Sequence, residues 1–317
     1  MIEKMKIGIS SCLLGNEVRY NGNHASDPFV INTFAPYVDF IEVCPEVECG
    51  MPIPRETIDL YGEIDNPRLI SNGAKIDFTM QMQKWVQKRL KELAHENLYA
   101  YIFKKNSPSC GLYDIRVYPD SEKSPLKAGV GMFSRAFLEH FPTIPAEDEE
   151  RLHDPDSREH FIEKIFIMQR WRQLMQKPAS RHQLIDFHTR HKLIFLAHNQ
   201  QHYRLMGKFI AKIAELELET AYLQYFTLMT TLLNFKTTPK KHVNVLMHML
   251  GYFKKELSSA EKQEMLDLIN RFSQGLLPLI VPITMFKHYI QKYKREYLAN
   301  QHYVEPHPLE LKLRNHC

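Results

Sequence analysis

Three cysteines stand in equivalent places: Cys12 in SSCLLG, Cys44 in VCPEVECG and Cys110 in NSPSCG, each in a turn rich in Gly, Pro or Ser at the end of an apolar run. A thiolate is a soft donor that suits zinc and iron-sulfur centres alike. Spacing does not choose between them, because neither the C-x2-C of a zinc ribbon nor the closely packed ferredoxin run is present. Three ligands leave a coordination position open, which points to chemistry more than to structure. An isolated free cysteine reads as a small buried hydrophobe; three in matching turns weaken that explanation. Ser11 and Ser109, beside two of the thiols, can donate hydrogen bonds to a thiolate. Cys49 could be a fourth ligand or a redox partner of Cys44, but CPEVEC would need a sharp reversal, which favours a packing role. Cys317 reads as a surface thiol, and five cysteines are an odd number for a chain in which structural disulfides are rare.

The elements that must position these thiols are visible in the first half. The runs 6–14, 38–44 and 98–105 read as strands, and between the last two, Phe78, Met82, Trp85, Val86, Leu90 and Leu93 recur at helical spacing. Strands alternating with helices predict an α/β domain with a parallel sheet, Rossmann-like, in which ligands collect outside the carboxyl ends of the strands. The segment 129–141 adds a glycine turn and a short helix. The charged stretch 144–161 reads as the end of this domain and the start of a linking helix, so the boundary is set at 1–150 and 151–317. The second part predicts an all-α helical C-terminal domain, with Ser258 and Glu261 forming a capping box and Gly275 with Pro278 marking a helix stop.

Charge separates the halves. Residues 1–180 carry 22 basic and 26 acidic residues, whereas 181–317 carry 19 and 11, with 11 of the 16 histidines. A basic helical module suits a polyanion, although a basic surface is often only solvated. Arg181, Arg190, Lys192, Arg204 and Lys208, beside Phe187 and Tyr203, combine cations and aromatics in the way that holds a phosphate backbone with exposed bases, and the run 287–297 has the same character. His188, His191, His198 and His202 fall on shared helix faces, but without an H-E-x2-H pattern they read as packed or solvated more than metal-bound. The longest apolar stretch, near residue 280, is too short for a membrane span and is broken by Pro278 and Pro282. With a strand pattern starting at the N-terminus, a soluble cytoplasmic protein is expected.

Taken as motifs, SSCLLGNEVRYNG, VCPEVECGMPIPRE and KNSPSCG resemble the signature stretches of the thiouracil desulfidase family, and FHTRHKLIFLAHNQQHYRLMGKFIA resembles a helical domain often fused behind it. The fused form is similar to bacterial tRNA 4-thiouridine desulfidases. The resemblance implies a 4Fe-4S cluster held by Cys12, Cys44 and Cys110, with the fourth iron free to take the substrate's sulfur. It also implies Glu46 as catalytic glutamate and Ser107 as catalytic serine, acting on a thiolated pyrimidine, free or within tRNA. Cys49 departs from the pattern. Read without the resemblance, Glu46 could simply favour a helix N-terminus and Ser107 could be an ordinary turn residue. Arg19, Tyr20, Arg55 and Ser109 are candidates to contact substrate, while an arginine equally suits a carboxylate within the fold. Two other classes stay open: an RNA-binding protein with a structural zinc site, and a thiol redox protein using Cys44 and Cys49.

Overall fold

The structure, a computed structural model, describes residues 4–119 and 124–316, so Cys317 lies outside the described residues. The chain divides into two compact units, Met1–Phe161 and Ile162–Cys317.

The first unit opens with β1 (Met5–Ser10) and β2 (Val38–Val43), followed by the short helix α1 (Pro45–Glu48) and the hairpin β3 (Ile58–Gly62) and β4 (Pro67–Ser71). Helix α2 (Thr79–His95) leads to β5 (Ala100–Phe103), β6 (Ile115–Tyr118), β7 (Leu126–Gly129), α3 (Met132–His140) and β8 (Ala146–Asp148). One sheet has the order β2-β1-β5-β8 and is parallel throughout. All four residues of β5 are buried, as expected of a parallel strand covered on both faces. Helix α2 turns Met82, Val86, Leu90 and Leu93 inward, the apolar stripe legible in its sequence. The rings of Tyr101, Phe103, Phe133 and Phe137 interlock beside it at centroid distances of 4.0–6.1 Å.

A second sheet, β4-β3-β6-β7, was not expected from the sequence. Its hairpins pair antiparallel while β3 and β6 run parallel. Strand β8 was also missed, because AED reads as a charged linker; it pairs at the edge of the parallel sheet through its backbone, Tyr101 to Phe103 against Ala146 to Asp148.

Helix α4 (Pro155–Met175) carries the chain into the second unit, which is helical: α5 (Arg181–His198), α6 (Gln200–Ala211), α7 (Leu218–Leu233), α8 (Pro239–Gly251), α9 (Ser259–Ser273), α10 (Ile280–Lys292) and α11 (Glu296–Ala299). The capping box forms as read, Ser258 Oγ accepting from the Glu261 amide at 3.2 Å and Glu261 Oε2 accepting from the Ser258 amide at 2.9 Å. Gly275 follows in the left-handed region, φ +71°. No described helix is long and apolar enough to cross a membrane.

Candidate active site

The sheet order places β1 between β2 and β5, so the three turns that leave their carboxyl ends are neighbours. Adjacent strands lie about 4.8 Å apart, which brings the outer two turns within roughly 10 Å of each other. Cys12 sits in a 3-10 turn that Gly15 ends at φ +97°, Cys44 is the residue before α1, and Cys110 lies within a turn closed by Gly111 N–H donating to Ser107 O at 2.7 Å. Gly131 packs onto that last turn so closely that a Cβ there would lie 2.7 Å from the Ser109 carbonyl and 2.9 Å from the Cys110 nitrogen.

A cavity of about 460 Å³ lies over these strand ends. Cys12, Cys44 and Cys110 line it with Glu46, Ser107, Arg19, Tyr20 and Arg55, so one cavity gathers the thiols and most of the residues singled out above. Ser109 is fully buried and supports two of them: its Oγ donates to Glu46 Oε1 at 2.7 Å and lies 3.7 Å from Cys110 Sγ. Ser107 Oγ is 2.9 Å from Ser109 Oγ and 3.4 Å from Glu46 Oε1. The Arg55 guanidinium is turned onto Glu46 as well. Its Nε and Nη2 both donate to Glu46 Oε2, and Nη2 also donates to Val18 O at 2.9 Å. Arg55 thus holds a carboxylate of the fold, the second of the two roles open to it.

Burial pushes the Cys12 thiol up to about 12 despite the nearby Lys104 ammonium, and it raises Cys44 and, well above the ordinary range, Cys110. After burial, ionisation of Cys44 would add to the rise at Cys12 and Cys110. Buried thiols of this kind ionise when a metal centre neutralises them, which fits a thiolate-ligated group. Among the described residues, no three His, Cys, Asp or Glu side chains close in tightly enough to hold a single metal ion. Cys49 is directed away onto the Glu46 carbonyl, Sγ to O 3.2 Å, and burial raises its thiol to about 11.

Part of the cavity escaped sequence reasoning. Lys104, at the end of β5, and Thr57, Asp59 and Asn72, from the hairpin of the second sheet, complete the lining. The usable signal for Asp59 was the alternation I-D-L-Y after the PRE motif, which turns Ile58 and Leu60 inward and Asp59 to the other face.

In the second unit Arg190, Arg204 and Lys208 are exposed and Lys192 is half-buried, with Arg190 paired to Asp186 at 2.8 Å. The aromatic partner proposed for them is different: Phe187 lies in the core against Trp171, because α5 buries most of its circumference. His188, His191 and His198 are core residues too, bonded to Tyr225 OH, Phe187 O and the pair Phe235 O and Glu163 respectively. In the run 287–297, Lys287, Lys292 and Arg295 are paired with Glu305, Glu261 and Glu256.

The family model described as 2-thiouracil desulfurase matches residues 7–149, and one described as a protein of unknown function, DUF1722, matches residues 192–308. The chain is 37% identical over 153 residues to the uncharacterised protein YbgA of Escherichia coli, covering 48% of this chain and 90% of that one. The chain belongs to the 2-thiouracil desulfurase family. The uncharacterised YbbK of Bacillus subtilis is 35% identical over 109 residues, 32% of this chain and 71% of that one. A solved structure titled as the 4Fe-4S-dependent thiouracil desulfidase TudS is 27% identical, covers 48% of this chain and 95% of its own, and superposes with a TM-score of 0.39. All the cavity residues named above fall within the span matched to the 2-thiouracil desulfurase model, and membership of that family supports a desulfidase enzyme. The DUF1722 span contains Lys192, Arg204 and Lys208 and starts just after Arg190.

Proposed function

We propose that the protein converts a thiolated pyrimidine, 4-thiouridine of tRNA, to its oxo form by hydrolysis, with Cys12, Cys44 and Cys110 holding a 4Fe-4S cluster. The observation that supports this best is the single cavity shared by the three thiols, Glu46 and Ser107. When bound, the cluster supplies a soft Lewis-acidic iron with a free position for sulfur. Glu46 acts as general base toward water at the thiocarbonyl carbon, a role worth about 10²- to 10⁴-fold in rate. Its Oε2 is occupied by Arg55 and its Oε1 faces the two serines, which fixes the carboxylate's orientation. Ser107, in reach of both Glu46 and Ser109, passes a proton toward the departing sulfur. One water enters, the C=S carbon becomes C=O and hydrosulfide leaves, so no electrons are exchanged with an external donor.

Of the cations lining the cavity, Arg55, Lys104 and Lys105 pair with Glu46, Glu149 and Glu150, and among the described residues Arg19 has no carboxylate partner. In this reading Arg19, whose guanidinium lies 5.7 Å from the Tyr20 ring centroid, takes a backbone phosphate while Tyr20 stacks on a base. The second unit grips the rest of the RNA through Arg190, Lys192, Arg204 and Lys208. Anaerobically purified protein should release sulfide from 4-thiouridine and from thiolated tRNA with no reductant added. A requirement for an electron donor would overturn the hydrolytic scheme.

A further inference from the structure

A polar cluster contributed by the second sheet shares the cavity with the thiols. Thr57, Asp59 and Asn72 line the same cavity as the three thiols. Asn72 Nδ2 donates to Asp59 Oδ2 at 2.7 Å and to Thr57 Oγ1 at 2.9 Å, and Tyr61 OH donates to Asn72 Oδ1 at 3.1 Å. The amide is therefore pinned by three neighbours and holds the Asp59 carboxylate in one orientation. Asp59 has no cationic partner among the described residues, unlike Glu46, Glu149 and Glu150. One of its oxygens is taken by Asn72 and the other retains its accepting capacity. A half-buried carboxylate in that condition is complementary to a neutral donor such as a hydroxyl, whose bond to the charged oxygen is stronger than one between neutral groups.

Position then selects which hydroxyl. Asp59 enters the cavity from β3 of the second sheet, whereas the three thiols stand on turns that follow strands of the first. In a pyrimidine ring, C4 and N1 are opposite corners. A C4 thiocarbonyl held at the thiols therefore directs N1 and its sugar away from them, toward the rest of the cavity lining, whereas a C2 thiocarbonyl would keep the sugar next to the reacting atom. We infer that Asp59, oriented by Asn72 and Thr57, accepts the 2′-hydroxyl of the substrate's ribose and makes the site selective for 4-thiolated ribonucleotides. The assignment rests on the desulfidase function proposed above. Carboxylates take a ribose 2′-hydroxyl in dinucleotide sites, and the 2′-hydroxyl is the group by which proteins tell RNA from DNA.

The test compares 4-thiouridine with 2′-deoxy-4-thiouridine on the anaerobically purified holoenzyme. In the unaltered protein kcat/KM should favour the ribonucleoside by about tenfold or more, the lower end for a hydrogen bond to a charged group. In Asp59→Ala, and in the isosteric Asp59→Asn, that ratio should fall toward unity. Calorimetric binding of uridine and 2′-deoxyuridine supplies a readout independent of turnover and should show the same loss of preference. Equal handling of the two sugars by the unaltered protein, or an unchanged ratio in both variants, overturns the inference. Failure of the unaltered protein to release sulfide from 4-thiouracil, 4-thiouridine or thiolated tRNA would instead overturn the desulfidase function, and the calorimetric ribose preference would still be read.

Discussion

Replacing Arg55 by methionine removes the cation that holds Glu46. The two side chains are 5% and 14% exposed, so the pair is shielded from water and its partners cannot be replaced cheaply by solvent. Arg55 also donates to Val18 O at 2.9 Å and to Pro52 O at 3.3 Å, which ties the loop before β3 to the turn after β1. Breaking a buried pair by deleting one partner costs about 3–5 kcal/mol, because the surviving charge stays buried. Against a total stability of about 5–15 kcal/mol, that is a large fraction. Replacing both partners, Arg55→Met with Glu46→Gln, leaves no uncompensated charge. The double variant should recover part of the loss, with a coupling energy of about 1–3 kcal/mol. Urea unfolding followed by the fluorescence of Trp85, which packs 5.4 Å from the Phe133 ring in the first unit, measures this if Trp171 is first changed to Phe. Single-variant losses that add to the double-variant loss within about 0.5 kcal/mol would refute the coupling.

Gly131→Ala should push a methyl group into the Ser109–Cys110 backbone, destabilising the first unit by about 1–3 kcal/mol and lowering its bound iron, which thermal unfolding and iron analysis will show. Acid should act on the second unit. Burial holds His188, His302 and His307 near 4, against the ordinary 6.5, so between those values the unfolded chain binds the protons that the folded one excludes. Stability then rises with pH across that window and is lost as pH falls below 6.5, by up to about 1.4 kcal/mol per pH unit for each histidine. A melting temperature that stays flat from pH 6.5 to 4.5 would contradict this. Arg204→Glu with Lys208→Glu should weaken tRNA binding and flatten its salt dependence, each lost phosphate contact reducing the slope by roughly one; unchanged binding by gel shift across salt would remove these residues from the interface.

The thiol arrangement was legible because period and punctuation agreed: three apolar runs, each ending in a Gly, Pro or Ser turn with a cysteine, can only be neighbours if the strands are adjacent and parallel. The capping box at Ser258 was equally local, two side chains bonded to backbone three residues apart. What escaped detection depends on long-range pairing. The alternation I-D-L-Y and R-L-I-S shows a hairpin only when its polar residues are read as facing something, and here Asp59 faces the cavity. The roles of Arg55 and Ser109 turned on the position of one carboxylate contributed by another loop. The histidines of α5 were read as packed or solvated, and the sequence could not choose between the two because the groups that bond His188 and His198, namely Tyr225, Phe235 and Glu163, come from elsewhere in the chain.

The most direct measurement is the metal content of protein purified without oxygen, compared with that of the Cys44→Ala and Glu46→Ala variants. Iron and acid-labile sulfide in equal amounts are expected in the unaltered protein and in Glu46→Ala, which keeps its brown colour and loses sulfide release, while Cys44→Ala loses both. Stoichiometric zinc, or sulfide release from 4-thiouridine by protein that contains no iron, would contradict a cluster held by Cys12, Cys44 and Cys110.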